Sequence, residues 1–229
     1  MDAATRKKTR RNRRTAPPPE LHFRNSLDEG VNKPIPWIFA NLIAEREQML
    51  VYGESKIGKS QFALQMAIAA AMGRNFLHWQ YRGEQPRRVV YVNLEIDEQS
   101  FSNRLADHVL AELDQQREQP EEVESLENAV LLREDQIALI NEHIKGRLFF
   151  SDGIRSMDIT EDVIYDELRE IQGPVANWRD QITALRPDLV VFDTLSKVHS
   201  VREHDNIEIQ QVLMLLRKIA TVVTQQSAA

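Results

Sequence analysis

One stretch of eight residues has the residue types and the spacing of a phosphate-binding loop. It fits the pattern G-x-x-x-x-G-K-[ST] and consists of Gly53, Glu54, Ser55, Lys56, Ile57, Gly58, Lys59 and Ser60. In such a loop, backbone N–H groups surround nucleotide phosphates, the lysine reaches the β- and γ-phosphate oxygens, and the serine hydroxyl binds Mg²⁺. The two glycines let the chain turn tightly with no side chain projecting into the phosphate pocket. The loop, continued by Gln61, predicts a site for a nucleotide and Mg²⁺, in which Lys59 also serves catalysis.

The segments on either side of the loop have the pattern that the motif requires. Residues 48–52 are mostly apolar and predict a short buried strand before the loop. Residues 61–72 predict a helix, and Gly73 is a natural residue to follow its last turn. The positive end of that helix would point at the phosphates.

Two carboxylates stand at the ends of further apolar segments. Asp193 closes a predicted strand at 187–193, and Glu95 follows another at 88–94. Because ligands in parallel sheets bind at the carboxyl ends of the strands, these carboxylates and the loop are expected at one edge. Asp193 is then predicted to orient Mg²⁺ through its water shell, and Glu95 to polarise the water that attacks the γ-phosphate. Alternatively, Asp193 caps a turn, Glu95 only favours a helix dipole, or nearby Asp97 is the base.

The remaining periodicities predict strands that alternate with helices, which is typical of an α/β fold with a mainly parallel sheet and helices on both faces. A third strand is predicted at 148–150, and a helix capped by Asp97 after the second. Helices are also predicted at 163–171 and 175–185. Two helical faces are defined by their apolar residues. They are Phe101, Leu105, Val109 and Leu113 in the helix after Glu95, and Ile209, Val212, Leu213, Leu216, Ile219 and Val223 in the last helix.

The bulk composition suits one α/β domain with additions. The chain has 229 residues, 42% of them hydrophobic, a formal net charge of -6 and no cysteine. Residues 1–20 predict a disordered basic arm, which either contacts nucleic acid phosphates or is a solvated tail. Residues 21–229 predict the ATPase domain, with a charged helical insertion at about 114–146, where Leu126, Val130, Ile137, Ile140 and Ile144 are the expected buried positions. No apolar run approaches the ~20 residues that span a bilayer, so a cytoplasmic protein without a membrane partner is expected.

The motifs resemble those of the RecA-like ATPases of the RepA group, the hexameric replicative helicases of plasmids and phages. The similar stretches are 51–63, 90–95 and 190–197, and the resemblance extends over about 34–219. It implies a P-loop NTPase of RecA-like fold, with ATP and Mg²⁺ as ligands, Asp193 as the Walker B carboxylate and Glu95 as the catalytic glutamate. It also implies a homo-oligomeric, ring-shaped assembly on single-stranded DNA. Such proteins continue into a further core strand with a sensor residue and an arginine finger, so the sequence is expected to be C-terminally incomplete.

Three functions are compatible with these features. The first is a Mg²⁺-dependent, helicase-like ATPase in DNA replication or a related DNA transaction. The second is a regulatory or loader-like module that uses the nucleotide as a switch without motor activity. The third is a small-molecule kinase with the same loop, which is disfavoured because Glu95 has the position of a water-activating carboxylate and no arginine-rich lid is evident. The residues alone leave DNA, RNA and protein open as the polymer partner.

Overall fold

A computed structural model of the chain describes residues 34–114, 134–151 and 174–198, together with 209–210, 212–214 and 216–217. Its strands are β1 (Trp37–Phe39), β2 (Ile43–Ala44), β3 (Val89–Asn93), β4 (Leu148–Phe150) and β5 (Leu189–Asp193). Its helices are α1 (Lys59–Met72), α2 (Glu98–Asp114), α3 (Glu134–Ile144) and α4 (Pro174–Ala184), followed by a 3₁₀ turn at Leu195–Lys197. The described residues beyond 208 are also helical.

A parallel three-stranded sheet with the order β4-β3-β5 lies at the centre of the described chain. In β3, all five residues are buried, as expected for a β-branched strand that is covered on both faces. The pairing of β3 with β5 runs without a break from Val89↔Leu189 to Asn93↔Asp193. This register brings the carboxyl ends of the two strands side by side, which is the arrangement that a shared site needs.

The two faces of the sheet are covered by different sets of elements. Val89 and Tyr91 of β3 face a core built with α1, α2, α3 and β1. Val90 and Val92, which alternate with them, face a second core that includes Ile182 of α4 and the helical residues beyond 208. The fold is therefore α/β with helices on both faces of a parallel sheet, as the alternation of elements predicts.

The second half of helix α1 is buried on nearly all sides. Residues 66–72 are all buried, and Ala67, Ala70 and Ala71 have no exposed surface. A helix that is apolar on every side belongs inside the protein, and its alanines let it pack closely on β3 and β5. Gly73 follows with φ 67°, and the N–H of Arg74 donates to Ala69 O, which ends the helix as the sequence predicts.

Most of the predicted elements that lie in the described residues are confirmed, with ends that move by one or two positions. These are β3, β4, β5, α1, α2 and α4. Asp97 caps α2 as predicted, because its Oδ1 accepts the N–H of Ser100 at 2.9 Å. Ile140 and Ile144 are buried as expected, whereas Ile137 is 45% exposed, so that expectation is wrong. The predicted helix at 163–171, the arm at 1–20 and most of the insertion lie outside the described residues.

The strand predicted at 48–52 is wrong. These residues have no regular secondary structure, and Leu50, Val51 and Tyr52 are 45%, 39% and 85% exposed. An apolar run becomes a strand only where a sheet edge accepts its backbone hydrogen bonds, and this run pairs with no strand in the described part of the chain. Instead, the short antiparallel hairpin of β1 and β2 precedes the loop, in a region where the sequence analysis predicts no strand.

None of the helices among the described residues is long and apolar enough to cross a membrane.

The tight packing of α1 predicts that it will not tolerate a larger side chain. We expect Ala70→Leu to lower the free energy of unfolding by about 1–3 kcal/mol, because the added carbons have no space in a close-packed core. Urea denaturation measures the change. The matched control is Ala111→Leu on the exposed face of α2, which should stay within about 0.5 kcal/mol of the wild type. Equal stabilities of the two variants would contradict this packing.

Candidate functional site

The candidate phosphate loop runs from Gly53 to Gly58 and is exposed along its whole length. Its backbone visits the left-handed region at Lys56, with φ 65°, and at Gly58, with φ 92°. Gly53 has φ 154°, and a Cβ placed on it would lie 2.5 Å from Ile57 Cδ1. The two glycines are therefore at the positions where the turn demands a residue without a side chain. The loop leads directly into α1, whose first free N–H groups face it.

Lys59 lies across the loop that precedes it. Its Nζ donates to Gly53 O at 3.1 Å and to Glu54 O at 2.6 Å. These two carbonyls hold the ammonium group against the loop backbone. Glu54, Ser55, Lys56 and Ile57 contribute backbone there, and their side chains are exposed.

A hydrogen bond between distant parts of the sequence joins the loop to the sheet. Ser60 Oγ, at the start of α1, donates to Asp193 Oδ1, at the end of β5, at 2.9 Å. The structure thus brings together the two residues that the sequence predicts to interact with Mg²⁺. Both side chains are partly buried, at the carboxyl edge of the parallel sheet.

The second oxygen of the same carboxylate is held by a residue that sequence reasoning missed. Tyr91, in the middle of β3, donates its hydroxyl to Asp193 Oδ2 at 2.7 Å. Burial, followed by the negative charge of Asp193, raises the pKa of Tyr91, so the phenol keeps its proton and remains a donor. A tyrosine inside a strand that is buried on both faces was the available signal, because a buried hydroxyl needs a partner.

Glu95 lies just beyond β3, beside the end of β5. Leu94, which directly precedes Glu95, donates its N–H to Asp193 O at 2.7 Å, and this bond joins the ends of β3 and β5. The side chain of Glu95 is exposed and has no hydrogen-bond partner in the described part of the chain. Buried Asn93 fixes the turn that presents it: its Nδ2 donates to Ile96 O at 2.8 Å, and its Oδ1 accepts the N–H of Ile96 at 3.2 Å.

Asp97, the competing carboxylate, is engaged in helix capping. Its Oδ1 accepts the N–H of Ser100, and this hydrogen bond lowers the pKa of the Asp97 carboxyl group. A carboxylate that caps a helix is less available as a base than an unpaired one. The geometry therefore favours Glu95 over Asp97 for a role that requires a free carboxylate.

Gln61, the last residue predicted for the site, connects α1 to α2. Its Oε1 lies 2.5 Å from His108 Nε2, and Gln65 Nε2 lies 3.4 Å from His108 Nδ1. This network assigns the neutral tautomer with the proton on Nε2. Burial is the main cause that lowers the pKa of His108, opposed by the nearby charge of Asp107. The site helix and the helix that follows Glu95 are thus joined through one uncharged imidazole.

The fold and this site define the chain as a P-loop NTPase: a parallel sheet, a glycine-containing loop at a helix start, and a carboxylate at a neighbouring strand end. Residues 13–225 match the protein family described as the AAA domain. Because the match spans nearly the whole sequence, the chain belongs to that family of nucleotide-binding ATPases. No curated protein matches the sequence.

The bond between Tyr91 and Asp193 predicts a stability effect. Tyr91→Phe keeps the ring, which packs 5.3 Å from Phe101 between centroids, and removes only the hydroxyl. We expect the free energy of unfolding to fall by about 1.5–3 kcal/mol, the range for a hydrogen bond to a charged group. Tyr81→Phe is the control, since that partly exposed hydroxyl donates to Gln85 O and should contribute no more than about 1 kcal/mol. A Tyr91→Phe variant no less stable than the control would contradict the assignment.

The pKa of His108 predicts a pH effect on stability. Because folding lowers this pKa below its ordinary value of 6.5, the neutral ring stabilises the fold fully above that pH. The stabilisation is lost as the pH falls through the folded-state pKa, where protonation breaks the bond accepted from Gln65. We expect urea denaturation between about pH 7.5 and 5 to show a steeper loss for the wild type than for His108→Gln. Parallel pH profiles would refute this prediction.

Proposed function

We propose that the chain is a Mg²⁺-dependent ATPase of the RecA/RepA type that acts on single-stranded DNA in replication or a related DNA transaction, as part of a ring-shaped homo-oligomer. The observation that carries the catalytic part is the hydrogen bond of 2.9 Å between Ser60 Oγ and Asp193 Oδ1. It joins a complete phosphate loop to a strand-end carboxylate, which is the pairing that a Mg²⁺-nucleotide site requires. The motifs that resemble the RepA group support the DNA part.

The donor set suits Mg²⁺. This cation prefers oxygen ligands and is usually held by one or two carboxylates together with substrate phosphates. Ser60 and Asp193 offer a hydroxyl and a carboxylate already within hydrogen-bond distance of each other. When bound, Mg²⁺ neutralises charge that develops on the phosphates. Tyr91 then acts as a positioning residue, because its hydroxyl fixes the orientation of the carboxylate.

The protein's own groups perform the other steps. The N–H groups of the loop and of the first turn of α1 bind the phosphates. Lys59 exchanges the carbonyls of Gly53 and Glu54 for phosphate oxygens, so its ammonium group remains hydrogen-bonded before and after nucleotide binding. Glu95 accepts a proton from the attacking water, for which a carboxylate without a hydrogen-bond partner in the described residues is suited.

The first test compares Glu95, the candidate general base, with the neighbouring carboxylate of Asp97. We expect Glu95→Gln to bind ATP normally and to lose turnover by about 10²–10⁴-fold, the usual contribution of a general base. Asp97→Asn is the matched control and should keep near-normal turnover, because asparagine caps a helix as well as aspartate does. Lys59→Ala should weaken nucleotide binding itself. The measurements are steady-state ATP hydrolysis and fluorescent-nucleotide binding, each with and without single-stranded DNA.

The outcomes distinguish the alternatives. Turnover that is stimulated by DNA and abolished in Glu95→Gln supports a DNA-dependent ATPase. Tight ATP binding without turnover under any condition would instead support the regulatory or loader-like module. Normal turnover in Glu95→Gln together with loss in Asp97→Asn would remove Glu95 from the proposed role.

A further inference from the structure

A pocket of about 380 Å³ lies between the β1–β2 turn and the segment that follows α1. Its lining residues are Ala40, Asn41, His78, Trp79, Gln80 and Arg82. None of them belongs to the loop or carries one of the carboxylates of the candidate nucleotide site. The volume falls in the range of small-ligand sites in proteins.

One side of the pocket is built from aromatic rings. Buried Phe76 stacks on Trp79 with ring centroids 5.6 Å apart and an angle of 19°, and exposed His78 lies 3.9 Å from Trp79. Phe62 of α1 meets the indole edge-on at 6.1 Å. The backbones of Phe76 and Trp79 also exchange two hydrogen bonds, of 3.0 and 2.9 Å. Phe76 therefore belongs to the core, half-buried Trp79 packs against it, and His78 is the exposed ring of this cluster.

The other side carries hydrogen-bonding side chains that are not used within the described part of the chain. The side chains of Asn41, Gln80 and Arg82 have no hydrogen-bond or ion-pair partner in the part of the chain that the structure describes. Their backbones are nevertheless fixed, since Ala40 N donates to Gln80 O and Arg82 N donates to Ile38 O at 2.9 and 3.0 Å. Among the described residues, two unpaired amides thus stand beside an unpaired guanidinium on a hydrogen-bonded backbone.

The charge of the pocket also differs from that of the chain. The whole sequence has 35 acidic and 29 basic residues, yet no acidic residue lines the pocket and one arginine does. A neutral or positive site on an acidic protein suits a ligand with a negative group. Proteins usually bind single-stranded nucleic acid with aromatic side chains that stack on the bases and with cationic side chains that contact the phosphate backbone.

We propose that this pocket binds a base of single-stranded DNA, which stacks on His78 against Trp79, with Arg82 on the adjacent phosphate. The amides of Asn41 and Gln80 then reach the edge of the base. The proposal rests on the proposed function, because it takes single-stranded DNA as the polymer. Trp79 also contacts Phe62, which lies two residues after Ser60. This contact connects the proposed DNA-binding pocket to the first turn of α1.

Binding of a labelled oligo(dT) of about 20 nucleotides, measured by fluorescence anisotropy with saturating ADP, tests the site. We expect His78→Ala to weaken binding by at least about fivefold, since one stacked base is lost. Arg82→Gln should weaken binding and reduce the salt-dependence slope of log K by about 0.7, the value for one phosphate contact. The control is Arg147→Gln, an exposed arginine just before β4 that does not line the pocket, which should leave both quantities unchanged.

Tryptophan fluorescence gives a second readout. The chain has three tryptophans, and Trp79 is the one in the pocket. We expect oligo(dT) to quench the emission of the wild type and of Trp178→Phe, but not that of Trp79→Phe, which retains an aromatic ring. Because Trp178 packs on Phe192 in the second core, its removal is a matched control.

Two different results would overturn the proposal. In the first, the wild type binds oligo(dT), His78→Ala and Arg82→Gln bind it equally well, and the emission of Trp79 is not quenched. The DNA then binds elsewhere on the protein, and the proposed function stands. If the wild type does not bind oligo(dT) at all, both the pocket assignment and the DNA part of the proposed function are wrong.

Discussion

The in-register parallel pairing of β3 with β5 is the constraint on which the rest of the site depends. At the amino ends of the strands, Asp188 accepts the N–H of Arg88 at 2.8 Å and lies 3.7 Å from the guanidinium of Arg87. At the carboxyl ends, Leu94 N donates to Asp193 O. A slip of one residue would turn every side chain of β3 to the opposite face. It would remove Tyr91 from Asp193 and displace the turn that presents Glu95.

Within that frame, Asp193 is the point at which three elements meet. Its two carboxylate oxygens accept hydrogen bonds from α1 and from β3, through Ser60 and Tyr91, while its backbone belongs to β5. Two donors, one on each carboxylate oxygen, fix the orientation of this side chain. The helix α1 reaches this point because its small, fully buried alanines allow close contact with the sheet.

The candidate site residues could be singled out from the sequence because each follows from a local rule. The phosphate loop is a contiguous motif, and Asp193 and Glu95 each terminate an apolar run whose strand character is plain. Tyr91 was not singled out, although its place in such a run implied a partner. The pocket lined by His78 and Arg82 could not be foreseen at all, because its two sides come from segments that only the folded chain brings together.

The sequence by itself determined the order of the elements from α1 onward, the phosphate loop, the two candidate carboxylates and the cap at Asp97, since periodicity, glycine placement and capping act over a few neighbouring residues. Only the tertiary structure decided which partners these groups have. Residues 48–52 have a strand-like pattern but are exposed, because a strand forms only where a sheet edge receives it. Asp193 and Ser60, 133 positions apart, meet because β5 and α1 pack together, and that is a property of the assembled sheet and helices.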